Sequence, residues 1–225
     1  MLKSNGETCN KGHVPGLSRT MHLTSTGVVA VALSALMFGQ VALGQQQQVV
    51  LQWAPGAEAW AENVAFTYAT EAGVQGLADA ITAGAVNIFP AELADGHLAV
   101  SEPGATPGSP ATIFIQHTPD GGLIGPGAVH EWEHLNNNHE RLPLGCDPTP
   151  QQLQAQACNE CAAHCAVLEA MYVRYHETGY KPPCSLKKTV FESALWDCHA
   201  CSGVYGPPSP NPCNSSSGGV PCTAG

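Results

Sequence analysis

The chain has 225 residues, with 18 acidic side chains against 8 Lys and Arg, a formal net charge of −10 and 10 cysteines. A chain this acidic repels nucleic-acid phosphates and anionic membrane surfaces, which excludes both as expected partners. Hydrophobic residues make up 44% of the sequence, enough for one packed core.

Residues 27–44, GVVAVALSALMFGQVALG, form an apolar run behind Lys3, Lys11, Arg19 and His22. Ala42 and Gly44 supply the small residues of a signal-peptidase site. Residues 1–44 therefore read as a signal peptide, with Met21 as a second candidate start, and the product as secreted or periplasmic with no membrane partner once the leader is gone. The leader holds three of the eight basic residues and one of the eighteen acidic ones, which leaves five against seventeen. The working domain is expected over 45–205, followed by a Pro/Ser/Gly-rich flexible tail over 206–225.

Trp60, Val64, Tyr68 and Ala72 recur every fourth residue, and Val74, Leu77 and Ile81 follow. This spacing predicts helix over 57–85, interrupted near Gly73, Gly76 and Gly84. The stretch SEPGATPGSP, 101–110, reads as loop, and ATIFIQ, 111–116, as a strand. After a Gly-rich loop over 121–127, a short helix is expected from Ala128 to Leu135. Asn136, Asn137 and Asn138 end it, because Asn enters the left-handed conformation more readily than most residues.

That helix contains His130-Glu131-Trp132-Glu133-His134, an HExxH motif. Positions i and i+4 stand one above the other, so the two imidazoles can close on one zinc ion while Glu131 leans toward a water bound to it. Zinc with three protein ligands keeps a fourth position open and lowers the pKa of its water. Glu131 is then the general base, and the arrangement is that of a zinc peptidase.

Thr149 is a suitable N-cap, Pro150 a suitable first residue and Gln152 a capping-box partner, so a long helix is expected over 150–177, ending at Gly179. Leu153, Ala157, Glu160, His164, Leu168, Met171 and Tyr175 share one stripe, which an acid and a histidine interrupt. Glu160, a carboxylate on a face meant for the core, needs a cationic partner and is the expected third zinc ligand. A further helix is expected over 187–196, leading into Cys198-His199-Ala200-Cys201. Nine cysteines follow the leader, from Cys146 to Cys222, and in an exported chain they read as disulfides with one left over. The pairs Cys158/Cys161 and Cys198/Cys201 leave a structural zinc site as the alternative.

Together with the HExxH helix, Asn159-Glu160-Cys161-Ala162-Ala163-His164 resembles the gluzincins, the thermolysin-like class, over 130–172. The resemblance implies a compact zincin-like core, and with the cysteine placement the expected fold is α+β, with an HExxH helix, a second long helix carrying the third ligand, a small sheet, and a disulfide-stapled C-terminal half. His164 stands where that class carries Asp and is a candidate for supporting a ligand from behind. The class also implies a second donor to the oxyanion, for which Tyr172, Tyr175, His176, Tyr180 and His199 are open. The metzincin pattern HExxHxxGxxH instead directs attention to Glu140, or to His139 beside it, as third ligand, although Asn137 replaces its Gly.

These readings converge on a secreted zinc metallopeptidase, with a peptide or protein substrate lying along the edge of the strand containing Ile113 to Ile115. The alternatives are an exported non-catalytic zinc-binding or interaction domain, and a thiol-redox protein built on Cys198 and Cys201.

Overall fold

The computed structural model describes residues 56–93, 97–118, 121–139, 149–203, 213 and 220–223. The expected leader, Glu140 and Cys146 lie outside them. Among the described residues the fold is α+β, with five helices, a small mixed sheet of three strands and four disulfides.

The first helical stretch divides into α1 (Ala57–Glu71) and α2 (Gln75–Thr82). The break comes at Gly73, whose φ of 71° glycine adopts without a Cβ penalty. The buried face of α1 is Ala61, Ala65, Tyr68 and Ala69, whereas Trp60 is 39% exposed. The expected stripe is thus displaced by one residue at its start, because small side chains let the helix lie close to its neighbours.

Three strands form where the sequence suggested one. β1 (Val86–Ala91) and β2 (Ala99–Glu102) flank β3 (Ala111–Gln116) in the order β1-β3-β2, with β1 parallel and β2 antiparallel to β3. Pro90 breaks the sequence pattern of β1, but β1 pairs only with β3, and an edge strand tolerates a residue without an N–H. β2 is short and overlaps the Pro/Gly-rich stretch that read as loop. Because β3 is central, its edges are already paired, and the expectation that a substrate lies along Ile113 to Ile115 is corrected. Any such pairing falls to an edge strand, β1 or β2.

The motif helix α3 (Ile124–Asn136) starts four residues before Ala128. Pro126 fits the first turn, where a backbone N–H has no helical acceptor to lose. Gly125 is required by packing, since a Cβ there would stand 2.3 Å from Cγ of Tyr68. Tertiary contact with α1 therefore overrides the weak helix propensity of this Gly-rich segment.

α4 (Pro150–Thr178) follows its sequence signals closely. Gln152 N donates to Thr149 Oγ1 at 3.2 Å, Thr149 N donates to Gln152 Oε1 at 2.8 Å, and Gly179 closes the helix at φ 73°. Leu153 is 49% exposed, so only the later part of the expected stripe, with Leu168 and Met171, reaches the core. α5 (Cys184–Ser202) is longer than 187–196 and absorbs the Cys198-His199-Ala200-Cys201 segment.

The core gathers Leu77, Ile88, Ile113, Ile115, Ile124, Val129, Leu168 and Met171 from both helices and sheet. Arg174 of α4 ties α1 to it: its Nε donates to Glu71 Oε2 at 2.7 Å, and its guanidinium lies 4.6 Å from the Tyr68 ring and 3.8 Å from that of Tyr180. Cys158–Cys201 and Cys161–Cys198 join α4 to α5, while Cys165–Cys213 and Cys184–Cys222 fasten two points of the C-terminal segment. Each CxxC pair therefore lies on one helix and bonds to the pair on the other. Its sulfurs are consumed in bonds across the hairpin, which removes the thiolates that a cysteine zinc site or a local dithiol would need. No helix among the described residues is long and apolar enough to cross a membrane.

Gly125→Ala is expected to destabilise the fold by about 1–3 kcal/mol, because the Tyr68 ring must move to admit the methyl group. Urea denaturation of the two proteins measures this, and equal midpoints would contradict it.

Candidate metal centre

α3 packs against α4 on one side and against α1, β2 and β3 on others, so its successive residues face different neighbours. His130 and His134, one helical turn apart, turn toward α4. Their Nε2 atoms are 3.2 Å apart, and Glu160 Oε2 lies 3.3 Å from His130 Nε2 and 3.7 Å from His134 Nε2. A metal bound tetrahedrally at about 2.0–2.1 Å has ligand atoms about 3.3–3.4 Å apart, so the three separations have the size of the edges of such a site. The group could hold a metal ion.

The electrostatics agree with a cationic occupant. Burial alone would raise the pKa of Glu160, but hydrogen bonds from His130 and His134, together with their charge, outweigh it and hold the carboxyl well below its usual range. Glu160 is thus an anion, kept beside two groups whose neutral forms are ligands. The side chains are 17%, 14% and 35% exposed for His130, His134 and Glu160, which leaves one side of the cluster open to solvent.

That side opens into a cavity of about 290 Å³. Glu131 reaches it from α3 and is only 5% exposed. Ser101 of β2, itself 2% exposed, donates its hydroxyl to Glu131 Oε2 at 2.7 Å. A charged-assisted bond of this kind fixes the carboxylate's orientation. Leu98, Leu123, Val167 and Val190 give the cavity an apolar wall, and His97 and His164 add imidazoles. A larger hollow of about 320 Å³ between α1 and α2 contains Glu62 among mainly apolar neighbours and gathers no comparable set of donors.

His164 lies one turn beyond Glu160 on α4. One of its ring nitrogens is within 4.8 Å of donor atoms of His130 and Glu160, and its ring centroid is 4.7 Å from that of His130. Its Nδ1 is 3.1 Å from Asp197 Oδ2 of α5, an ion-pair distance without hydrogen-bond alignment. Asp197 is the neighbour that sequence reading missed, because only the α4–α5 hairpin sets it opposite His164. Finding it would have required knowing that Cys161, next to Glu160, pairs with Cys198, next to Asp197.

His139, the alternative third ligand, meets the other edge of His134, with the two Nδ1 atoms 3.1 Å apart. It is therefore on the far side of that ring from Glu160 and does not join the three ligand atoms. Burial and the neighbouring His134 lower its pKa, which favours the neutral imidazole. Of the five candidates for an oxyanion donor, none lines the cavity. Tyr172, Tyr175 and His176 form their own ring cluster, and Tyr180 covers Arg174. His97 and His164 are the imidazoles that the fold brings there.

The double variant His130→Ala, His134→Ala is expected to lose metal that the wild type binds at one ion per chain; metal analysis after dialysis checks this, and full occupancy in the variant would contradict the site. Reduction is expected to weaken metal retention, since Cys158–Cys201 and Cys161–Cys198 flank Glu160 on α4. In a thiol titration of denatured, unreduced protein the eight cysteines of the four disulfides should contribute nothing, so that more than two thiols among the ten cysteines of the chain would contradict the pairing.

Comparison of the chain with protein-family models, with curated proteins and with solved structures gave no match.

Proposed function

We propose that the chain is an extracytoplasmic zinc metallopeptidase, similar in its site to the gluzincins. The observation that carries this reading is the convergence of His130, His134 and Glu160 at 3.2–3.7 Å beside a buried carboxylate, Glu131, that lines the same cavity. A ligand set alone serves structure equally well. A separate acid at the open side is what hydrolysis adds.

Zinc bound there would supply Lewis acidity and lower the pKa of a water molecule. The remaining work belongs to the chain. Glu131, oriented by Ser101, accepts a proton from the attacking water as oxygen adds to the peptide carbonyl carbon, and passes it to the departing amine as the C–N bond breaks. The products are a carboxylate and an amine, so atoms and protons balance. β2 borders the cavity through Ala99, and an extended peptide pairing with β2 would present its carbonyls to the site. The apolar wall favours a substrate with an apolar side chain next to the scissile bond. The disulfides and the apolar leader of residues 1–44 support an extracytoplasmic setting.

His164 favours a second reading, a non-catalytic metal-binding domain. An imidazole this near the ligand atoms, with a carboxylate at its other nitrogen, has the companions of a metal ligand and could close the open position.

Glu131→Gln separates the two. In the peptidase reading the variant keeps its zinc while kcat/KM on unfolded protein or a broad peptide library falls by about 10²–10⁴-fold, because an amide cannot act as base. Zinc-loaded wild type that cleaves no peptide, or a variant that cleaves as well as wild type, would transfer the site to the second reading.

A further inference from the structure

We infer that His139 is a positioning residue for the metal centre, holding His134 in the tautomer and orientation that ligation needs. The inference rests on the metal reading of His130, His134 and Glu160, and adds to it a third histidine that binds no metal itself.

The backbone provides the first support. α3 ends in the pattern in which a left-handed residue follows the helix and two N–H groups fold back over the last turn. Asn138 has φ 48° and is the only non-glycine residue with positive φ among those described. Asn138 N donates to Leu135 O at 3.4 Å, and His139 N donates to His134 O at 3.0 Å. The reversal therefore sets residue 139 directly over residue 134. A helix continued through 139 would carry that side chain about 500° around the axis from His134 instead.

The side chains provide the second. His134 points Nε2 at His130 and Glu160, and its Nδ1 is 3.1 Å from His139 Nδ1. An imidazole that gives its Nε2 lone pair to a metal carries its proton on Nδ1, and that proton needs an acceptor. Neutral His139 with its own proton on Nε2 offers a lone pair at the required atom. The rings meet edge to face, 5.3 Å between centroids and 69° between planes, so the bond also restricts rotation of His134 about its side-chain torsions. His139 is itself half-buried.

The test is zinc affinity of the oxidised full-length protein, measured by competition with a chromophoric chelator, with apo-protein melting as a control for folding. His139→Ala is expected to weaken binding about 10–100-fold with the apo fold retained. His139→Gln should recover most of the loss, because its amide oxygen can accept the same proton. Asn138→Gly should bind as wild type does, whereas Asn138→Val, whose branched side chain resists positive φ, should behave like His139→Ala. Wild-type affinity in His139→Ala overturns the inference while leaving the metal site standing. Equal losses in His139→Ala and His139→Gln also overturn it, because the ring would then be needed for its bulk and not as an acceptor. A wild type that takes up no zinc overturns the metal reading and this inference together.

Discussion

The candidate metal centre depends on one carboxylate from α4 being held against two imidazoles of α3. Glu160 cannot occupy that place cheaply on its own, since partial removal from water disfavours its charged form. The imidazoles offset that cost through hydrogen bonds and charge, and a metal ion would offset it more completely. The requirement is geometric as well. The three atoms come from two different helices, so their 3.2–3.7 Å separations depend on how α3 and α4 are set against each other.

The surrounding architecture restrains that displacement. α3 is clamped by α1 through the Tyr68–Gly125 contact and by the sheet behind it, while α4 is joined to α1 through Arg174. α4 and α5 are cross-linked on both sides of Glu160, and the same cross-links place Asp197 opposite His164. In the chain-entropy account, bridges closing loops of 37–48 residues each contribute roughly 4 kcal/mol by restricting the unfolded chain. Such support suits a long helix whose first turns, around Leu153, have little core to bury against.

α3 distributes different duties around its circumference. His130 and His134 face α4, Glu131 turns toward β2 and its Ser101, and the glycines of the first turn allow close approach to α1 and β3. Adjacent residues on a helix diverge by about 100°, so His130, His134 and Glu131 cannot all point the same way. The cavity forms where these directions meet, between β2, α3 and α4, and it is bounded by apolar side chains that limit water on one side only.

The sequence by itself determined the local pieces: the HExxH spacing of His130, Glu131 and His134, the strand at 111–116, and the capped helix from Thr149 to Gly179. Each depends on interactions within a few residues, where periodicity, capping and positive φ are read directly. Glu160 was also legible, because a charged residue in an apolar stripe asks for a partner. Tertiary structure decided that the partner is the pair of α3 imidazoles, that β3 is central while β1 and β2 provide the edges, and that the two CxxC pairs bond to each other across the α4–α5 hairpin. It also moved His139 from a rival ligand to the back of His134 and brought Asp197 to His164. Those outcomes turn on which faces of distant elements meet, and helical or strand periodicity fixes a face without naming what will lie against it.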